Sequence, residues 1–224
     1  MNARRNILKI TCALIIISFI LIWVTSINTK INNILIGIFG SSLLAALVEL
    51  PNAIGEKQKL KNVLYANSLY LYMTLQQYKW WINDAQNINR VIPEDFNINY
   101  ETAISNYACN ILSVDDKMFF RNKKNKILYE NKKSIDKLVN DFHNFRSRFK
   151  IRFLNIRIES NDPYAQIEAD KLNVVFNEGI KICDEYISYF QEKIPLLLDK
   201  KQKEQWKNDI GKIIESLDKY ETKE

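Results

Sequence analysis

Between residues 10 and 55 this chain carries only two charges, Lys30 and Glu49, while from Glu56 onward charged residues are dense. A stretch that apolar has to be shielded from water along most of its length, by protein or by lipid. Residues 10–27, ITCALIIISFILIWVTSI, form a run of 18 without a charge. As a helix at 1.5 Å per residue such a run reaches about 27 Å, close to the roughly 30 Å of a hydrocarbon core. Arg4, Arg5 and Lys9 precede it as a basic leader, so a secretory signal peptide competes with a membrane span. The residues after IWVTSIN do not supply the small-x-small cleavage pattern that a signal peptide needs.

A second apolar run covers about residues 33–50 and is followed by Pro51. The connection NTKINN is short enough to force the two runs to lie side by side. The sequence therefore predicts a two-span hairpin in residues 1–55, with spans at about 10–27 and 33–50. Lys57, Lys59 and Lys61 follow the second span, and the connecting loop holds only Lys30. Basic flanks are retained in the cytoplasm, so both termini are expected inside, at a bacterial inner membrane. A loop of this length has no room for a folded extracytoplasmic sensor domain.

Within the second span, GIFGSSLLAALVEL sets Gly37, Ser41 and Ala45 at four-residue spacing, and Gly40 widens the small surface. Lipid gives no hydrophobic drive between helices, so association depends on close backbone approach, which small residues permit. The first expectation is that this stripe faces the first span of the same chain; self-association of hairpins is the alternative. Glu49 comes one turn after Ala45. An intramembrane carboxylate is a functional candidate. The plainer expectation is that Glu49 reaches headgroup water at the cytoplasmic boundary.

Residues 56–224 are enough to bury a core of their own, and their pattern is helical nearly throughout. One predicted helix carries Leu64, Leu71, Leu75, Tyr78 and Ile82, and a shorter one carries Tyr100, Ile104, Tyr107 and Ile111. A third, capped by Ser134, carries Leu138, Phe142, Phe145, Phe149, Phe153 and Ile156. A fourth, opened by Asp162 and Pro163, carries Ile167, Val174, Val175, Cys183, Ile187 and Phe190 and stops at Pro195. The last runs from Leu196 to about Tyr220 on Trp206, Ile210, Ile213, Ile214 and Leu217. The predicted fold class is all-α: a transmembrane hairpin followed by an elongated cytoplasmic antiparallel helical bundle of coiled-coil-like packing. The aromatic stretch YANSLYLYMTLQQYKWW is expected to pack in that core rather than lie along the bilayer.

Charge is concentrated in residues 117–157, with 13 basic against 3 acidic residues, while residues 158–224 carry 10 against 15. The candidate anion-binding residues are Arg121, Lys123, Lys124, Lys126, Arg146, Arg148, Lys150, Arg152 and Arg157. These side chains fit a solvated helix face balanced by the acidic C-terminal helices. They equally fit a surface resting on anionic lipid, or a site for a nucleotide or nucleic acid. No glycine-rich phosphate cradle accompanies them.

Catalytic chemistry finds few residues to work with. His143 is the only histidine, so HExxH, multi-histidine zinc and Glu-x-x-His di-iron patterns are absent. Cys12, Cys109 and Cys183 make no CxxC pair and are expected to be thiols. GxxxxGK[ST], GxGxxG and GxSxG are missing too. Adjacent carboxylates such as Asp184 and Glu185 point about 100° apart on a helix and form no dyad. No enzyme activity, cofactor or metal is expected; the expected partners are the bilayer and another protein or a second copy.

In architecture alone, a cytoplasmic helical module on a short two-span hairpin resembles membrane effectors of bacterial anti-phage and abortive-infection systems. That resemblance implies a cytosolic domain that senses a signal and spans that disrupt the membrane. The function read from the residues is a membrane-anchored, non-enzymatic interaction, scaffold or sensing module. The effector, and a membrane-tethered nucleotide or nucleic-acid binder acting through residues 117–157, stand as alternatives.

Overall fold

The computed structural model describes residues 2–25, 30–87, 94–114, 122–159 and 169–221. Every regular element among them is an α-helix. In chain order these are α1 (Asn2–Val24), α2 (Lys30–Asn87), α3 (Glu94–Leu112), α4 (Asn122–Glu159), α5 (Ala169–Leu197) and α6 (Lys200–Glu221). The chain divides into two compact units, Met1–Lys61 and Asn62–Glu224.

In the first unit, α1 and the N-terminal part of α2 meet at the rings of Phe19 and Phe39, 6.2 Å apart. The residues of α1 turned inward recur at heptad spacing: Thr11 and Ser18 are buried, and Leu8, Ile15 and Ile22 are half-buried. On α2 the corresponding face is Asn32, Leu35, Phe39, Ser42, Ala46 and Glu49, again at three-and-four spacing. Thr11 and Ser18 meet their hydrogen-bonding needs within α1, donating to the carbonyls of Leu8 at 2.9 Å and Leu14 at 2.6 Å. Hydroxyls satisfied in this way are tolerated without water. The rest of the unit's apolar surface is open. Of the most apolar window of each helix, only 11% for α1 and 6% for α2 is buried. Both helices are long and apolar enough to cross a membrane.

Two sequence expectations are corrected here. The helix that carries the second run does not stop at Pro51: α2 continues through it to Asn87. Proline removes one backbone donor, leaving the Leu47 carbonyl without its helical partner, and here the helix absorbs that cost. The small-residue stripe also does not face α1. Gly37, Gly40 and Ser41 are exposed, and a Cβ built on Gly37 or Gly40 would meet nothing within 4 Å.

In the second unit, the remainder of α2 contacts all four other helices. Leu64, Ser68, Leu71, Leu75, Tyr78, Ile82 and Ala85 form an unbroken buried heptad stripe. Tyr70 stacks on Tyr107 of α3, and the buried Tyr78 hydroxyl donates to Asn97 Oδ1 at 2.6 Å. Tyr78 also meets Phe142 and Phe145 of α4 edge-on, at 4.9 and 6.5 Å. Toward α5, Lys79 pairs with Asp184 at 2.5 Å. Toward α6, Tyr65 and Tyr72 enclose Trp206, and the Tyr65 hydroxyl donates to Asp209. α4 packs on both α3 and α5.

The expected core is largely the observed one. Leu128, Ile135, Leu138, Phe142, Phe145 and Phe149 of α4 are buried, as are Val175, Cys183, Ile187 and Phe190 of α5. Full burial of such side chains stabilises by about 1.5–3 kcal/mol each before entropy is counted. Three local expectations differ. Ser134 lies inside α4 rather than capping it, because the helix already starts at Asn122. Pro195 lies inside α5, which runs to Leu197. Val174 is exposed, since Val175 and Phe176 take the inward positions beside it. Phe153, Ile156, Asp162, Pro163 and Ile167 lie outside the residues whose side chains are described.

Candidate functional site

The basic segment is the leading sequence candidate, and several of its described side chains turn to carboxylates or backbone carbonyls within the fold. Arg146 on α4 pairs with Glu101 on α3, and His143, one turn earlier, meets the other oxygen of the same carboxylate through Nδ1 at 2.8 Å. Arg148 pairs with Glu178 on α5. Lys137 contacts Glu185 on α5 at 3.1 Å and Asp141 on its own helix at 3.7 Å. Lys124 donates to the carbonyls of Leu197 and Leu198 at 3.1 and 3.2 Å, placing a cation at the C-terminal end of α5, where exposed carbonyls favour it. Lys132 donates to the Val114 carbonyl beyond the end of α3. Lys123, Lys126 and Lys150 are exposed, and Lys126 lies 3.9 Å from Glu130. Arg121 and the side chains of Arg152 and Arg157 lie outside the described residues.

The Glu101 node is the electrostatic centre of this arrangement. Burial acts to raise its carboxyl, but hydrogen bonds from His143 and Arg146, with their charges, outweigh it and hold the group below the usual glutamate range. His143 itself is well exposed. No sequence pattern singles out Glu101 or Glu178. Their significance depends on α3 and α5 docking on either side of α4, which is a tertiary fact.

The remaining reactive groups do not converge. Among the described residues, no three His, Cys, Asp or Glu side chains are grouped to hold a metal ion. All three cysteines are free thiols. Burial, with the nearby Asp184 charge, pushes the Cys183 thiol up, against a weaker opposing effect from Lys79, so it is a packing residue rather than a nucleophile. Tyr186 is likewise pushed up, first by burial and then by its hydrogen bond to Asp141.

A groove of about 270 Å³ lies between α2 and α6, lined by Gln76, Lys79 and Trp80 on one side and by Ile214 and Leu217 on the other. The apolar stripe predicted for α6 is thus only partly covered. Trp206 is fully buried, whereas Ile210 and Ile213 are half-buried and Ile214 is exposed.

In the first unit, Glu49 is half-buried at the edge of the inward face, and its Oε2 is buried without a hydrogen-bond partner among the described residues. Compared with known proteins, the chain matches no family model, no curated protein and no solved structure.

Proposed function

We propose that this protein is a membrane-anchored, non-enzymatic helical interaction module: α1 and the start of α2 span a bilayer as an antiparallel pair, and Asn62–Glu224 is a cytoplasmic bundle that binds a protein partner. The observation that carries the reading is the open apolar surface of Met1–Lys61. Large side chains such as Ile16, Trp23, Leu44 and Leu47 are more than half exposed there, while the second unit buries a core of its own. Surface of that kind is costly in water and suited to lipid.

Chain connectivity supports the antiparallel pairing. With Phe19 beside Phe39, a parallel arrangement would set Thr25 and Lys30 about 22 Å apart along the axis, at 1.5 Å per residue. Five Cα steps reach about 19 Å at most. Basic residues at the start of α1 and after residue 55 support a cytoplasmic bundle.

Pairing of Arg146, Arg148 and Lys137 with carboxylates from α3 and α5 favours a protein partner over a polyanion, because those cations already serve helix-to-helix contacts.

The test is membrane fractionation of the expressed full chain, followed by labelling of exposed Cys109 with an impermeant maleimide. Retention in the pellet after alkaline carbonate, with Cys109 labelled in inverted but not in right-side-out vesicles, is expected. Release by carbonate would refute the anchor, and labelling only from the outside would refute the orientation.

A further inference from the structure

We propose that the end of the second unit at which α2 enters it is a lipid-binding surface, where lysines from α4 and α6 hold the bundle on the anionic lipid of its own membrane. The inference rests on the membrane anchor proposed above. It begins from the way the fold divides the basic segment. The middle of α4 is tied to α3 and α5 through Lys137, Arg146 and Arg148. Its first turns are left open. Lys123 is exposed without an ion pair among the described residues, and Lys126 reaches only Glu130 of its own helix, at 3.9 Å.

The start of α6 joins the same end. The Lys124 ammonium, on the carbonyls of Leu197 and Leu198, ties the start of α4 to the turn between α5 and α6. Gln202 then reaches Asn62, the first residue of the unit, donating through Nε2 at 3.4 Å. Lys200, Lys201 and Lys203, on either side of Gln202, are exposed and have no ion pair among the described residues. Asp199 is occupied in capping α6, its Oδ1 accepting from the Gln202 backbone N–H at 3.0 Å. Residues 122–130 and 196–204 together hold six lysines against three carboxylates, Glu130, Asp199 and Glu204.

Exposed apolar groups lie among these lysines: Tyr129 is 62% exposed and Leu196 45%. Lysine beside tyrosine and leucine suits the boundary between headgroups and water, which accepts a cation and an apolar side chain together. A soluble polyanion would answer the charges but leave Leu196 and Tyr129 in water. Chain connectivity keeps lipid within range. Asn62 follows Leu50, the end of the apolar run, by twelve residues of α2, which at 1.5 Å per residue is about 18 Å at most. Headgroups fill about 6 Å of that distance, and an anionic surface acts over a further Debye length of about 8 Å.

Energy transfer to the lipid tests the surface. Exposed Cys109 is a suitable label position at this end, because its neighbour Asn110 bonds Asn67 of α2 at 2.9 Å. The full-length Cys12→Ser chain, labelled there with a donor, is reconstituted with headgroup-labelled acceptor lipid. The vesicles are of phosphatidylcholine alone or of phosphatidylcholine and phosphatidylglycerol in equal parts. Transfer is expected to be higher with phosphatidylglycerol and to fall back in high salt. Lys123→Glu, Lys126→Glu and Lys201→Glu together are expected to lower the ratio of docked to undocked bundle about a hundredfold, each lysine at an anionic surface counting for about fivefold. The same change of charge at Lys181, Lys212 and Lys219 is expected to leave the response intact. All six positions are exposed, so neither triple variant is expected to unfold the bundle.

Equal transfer in the two lipids, an unchanged response in the first triple variant, or an equal loss in the second would each overturn the proposal. Polyuridylate bound by the parent in neutral vesicles, without a response to phosphatidylglycerol, would assign the lysines to nucleic acid and overturn it likewise. Flotation with pure phosphatidylcholine vesicles reads the anchor separately. If the chain floats but transfer does not respond, this surface falls and the anchor stands; if it does not float, the anchor falls and this surface falls with it.

Discussion

Gly179 offers a sharp test of the core, because the same substitution at Gly211 should have the opposite sign. A Cβ added at Gly179 would lie 2.9 Å from Phe145 Cζ, 3.0 Å from Ile82 Cδ1 and 3.3 Å from Phe145 Cε2. The Phe145 ring has little freedom to retreat, since it also meets Tyr78, Phe142 and Phe149 at centroid distances of 6.5, 6.0 and 6.1 Å. Overpacking a filled core costs about 1–3 kcal/mol, against which alanine recovers about 1 kcal/mol of helix propensity. Gly179→Ala should therefore destabilise the Asn62–Glu224 unit by about 1 kcal/mol net. At Gly211 an added Cβ meets nothing within 4 Å, so only the propensity term of about 1 kcal/mol remains and Gly211→Ala should stabilise. Thermal unfolding of the full chain in mild detergent, followed by circular dichroism, should show shifts of about 2–4 °C in opposite directions. If Gly179→Ala stabilises as Gly211→Ala does, the close approach of α5 to α2 and α4 is wrong.

The remaining predictions concern charge and access. Because Glu101 is held below the ordinary glutamate value in the folded state, its contribution is fully present above about pH 4.3 and is lost as pH falls below that. Glu101→Gln should cost about 1–2 kcal/mol at pH 7 and flatten the acid limb of a plot of urea midpoint against pH; superimposable curves for the two chains would contradict the node. Arg148→Glu acts on a pair that is 57% and 31% exposed, so it should cost less than about 1 kcal/mol; a larger loss by urea titration would mean that the pair is more deeply buried than described. With intact inverted vesicles, a water-soluble maleimide should modify Cys109 alone, and denaturation in detergent should add Cys12 and Cys183. Mass spectrometry of the labelled peptides reads the result, and early modification of Cys183 would contradict its place in the core.

Helical periodicity made the second unit legible because each buried stripe depends mainly on neighbours three and four residues apart. Leu71, Leu75, Tyr78 and Ile82 on α2, and Leu138, Phe142, Phe145 and Phe149 on α4, are all buried where the pattern puts them. Helix ends were less legible. Ser134 and Pro51 are strong local stop or start signals, yet both lie inside long helices: a serine costs a helix interior only about 0.5 kcal/mol, and α2 continues through one missing backbone donor at the exposed Pro51. The first unit exposes another limit. Small residues indicate where a backbone can be approached, but they do not say by which helix, and the face α2 turns to α1 holds Phe39 and Leu35 as well as Ser42.

Charge was the least transferable signal, for a reason that bears on function. A basic excess confined to residues 117–157 would form a positive surface only if no carboxylates from elsewhere docked against it. Glu101 arrives from α3, and Glu178 and Glu185 arrive from α5. Carboxylates from the helices that precede and follow the basic segment thus compensate Lys137, Arg146 and Arg148. Ion pairs of this exposure add little to stability individually, while like charges juxtaposed by a wrong pairing of helices would repel. Their main effect on this fold is therefore selective: α4 accepts α3 on one flank and α5 on the other, and the aromatic core beneath them supplies most of the energy. Lys137, Arg146 and Arg148 are thereby committed to helix-to-helix contacts rather than to an open positive surface.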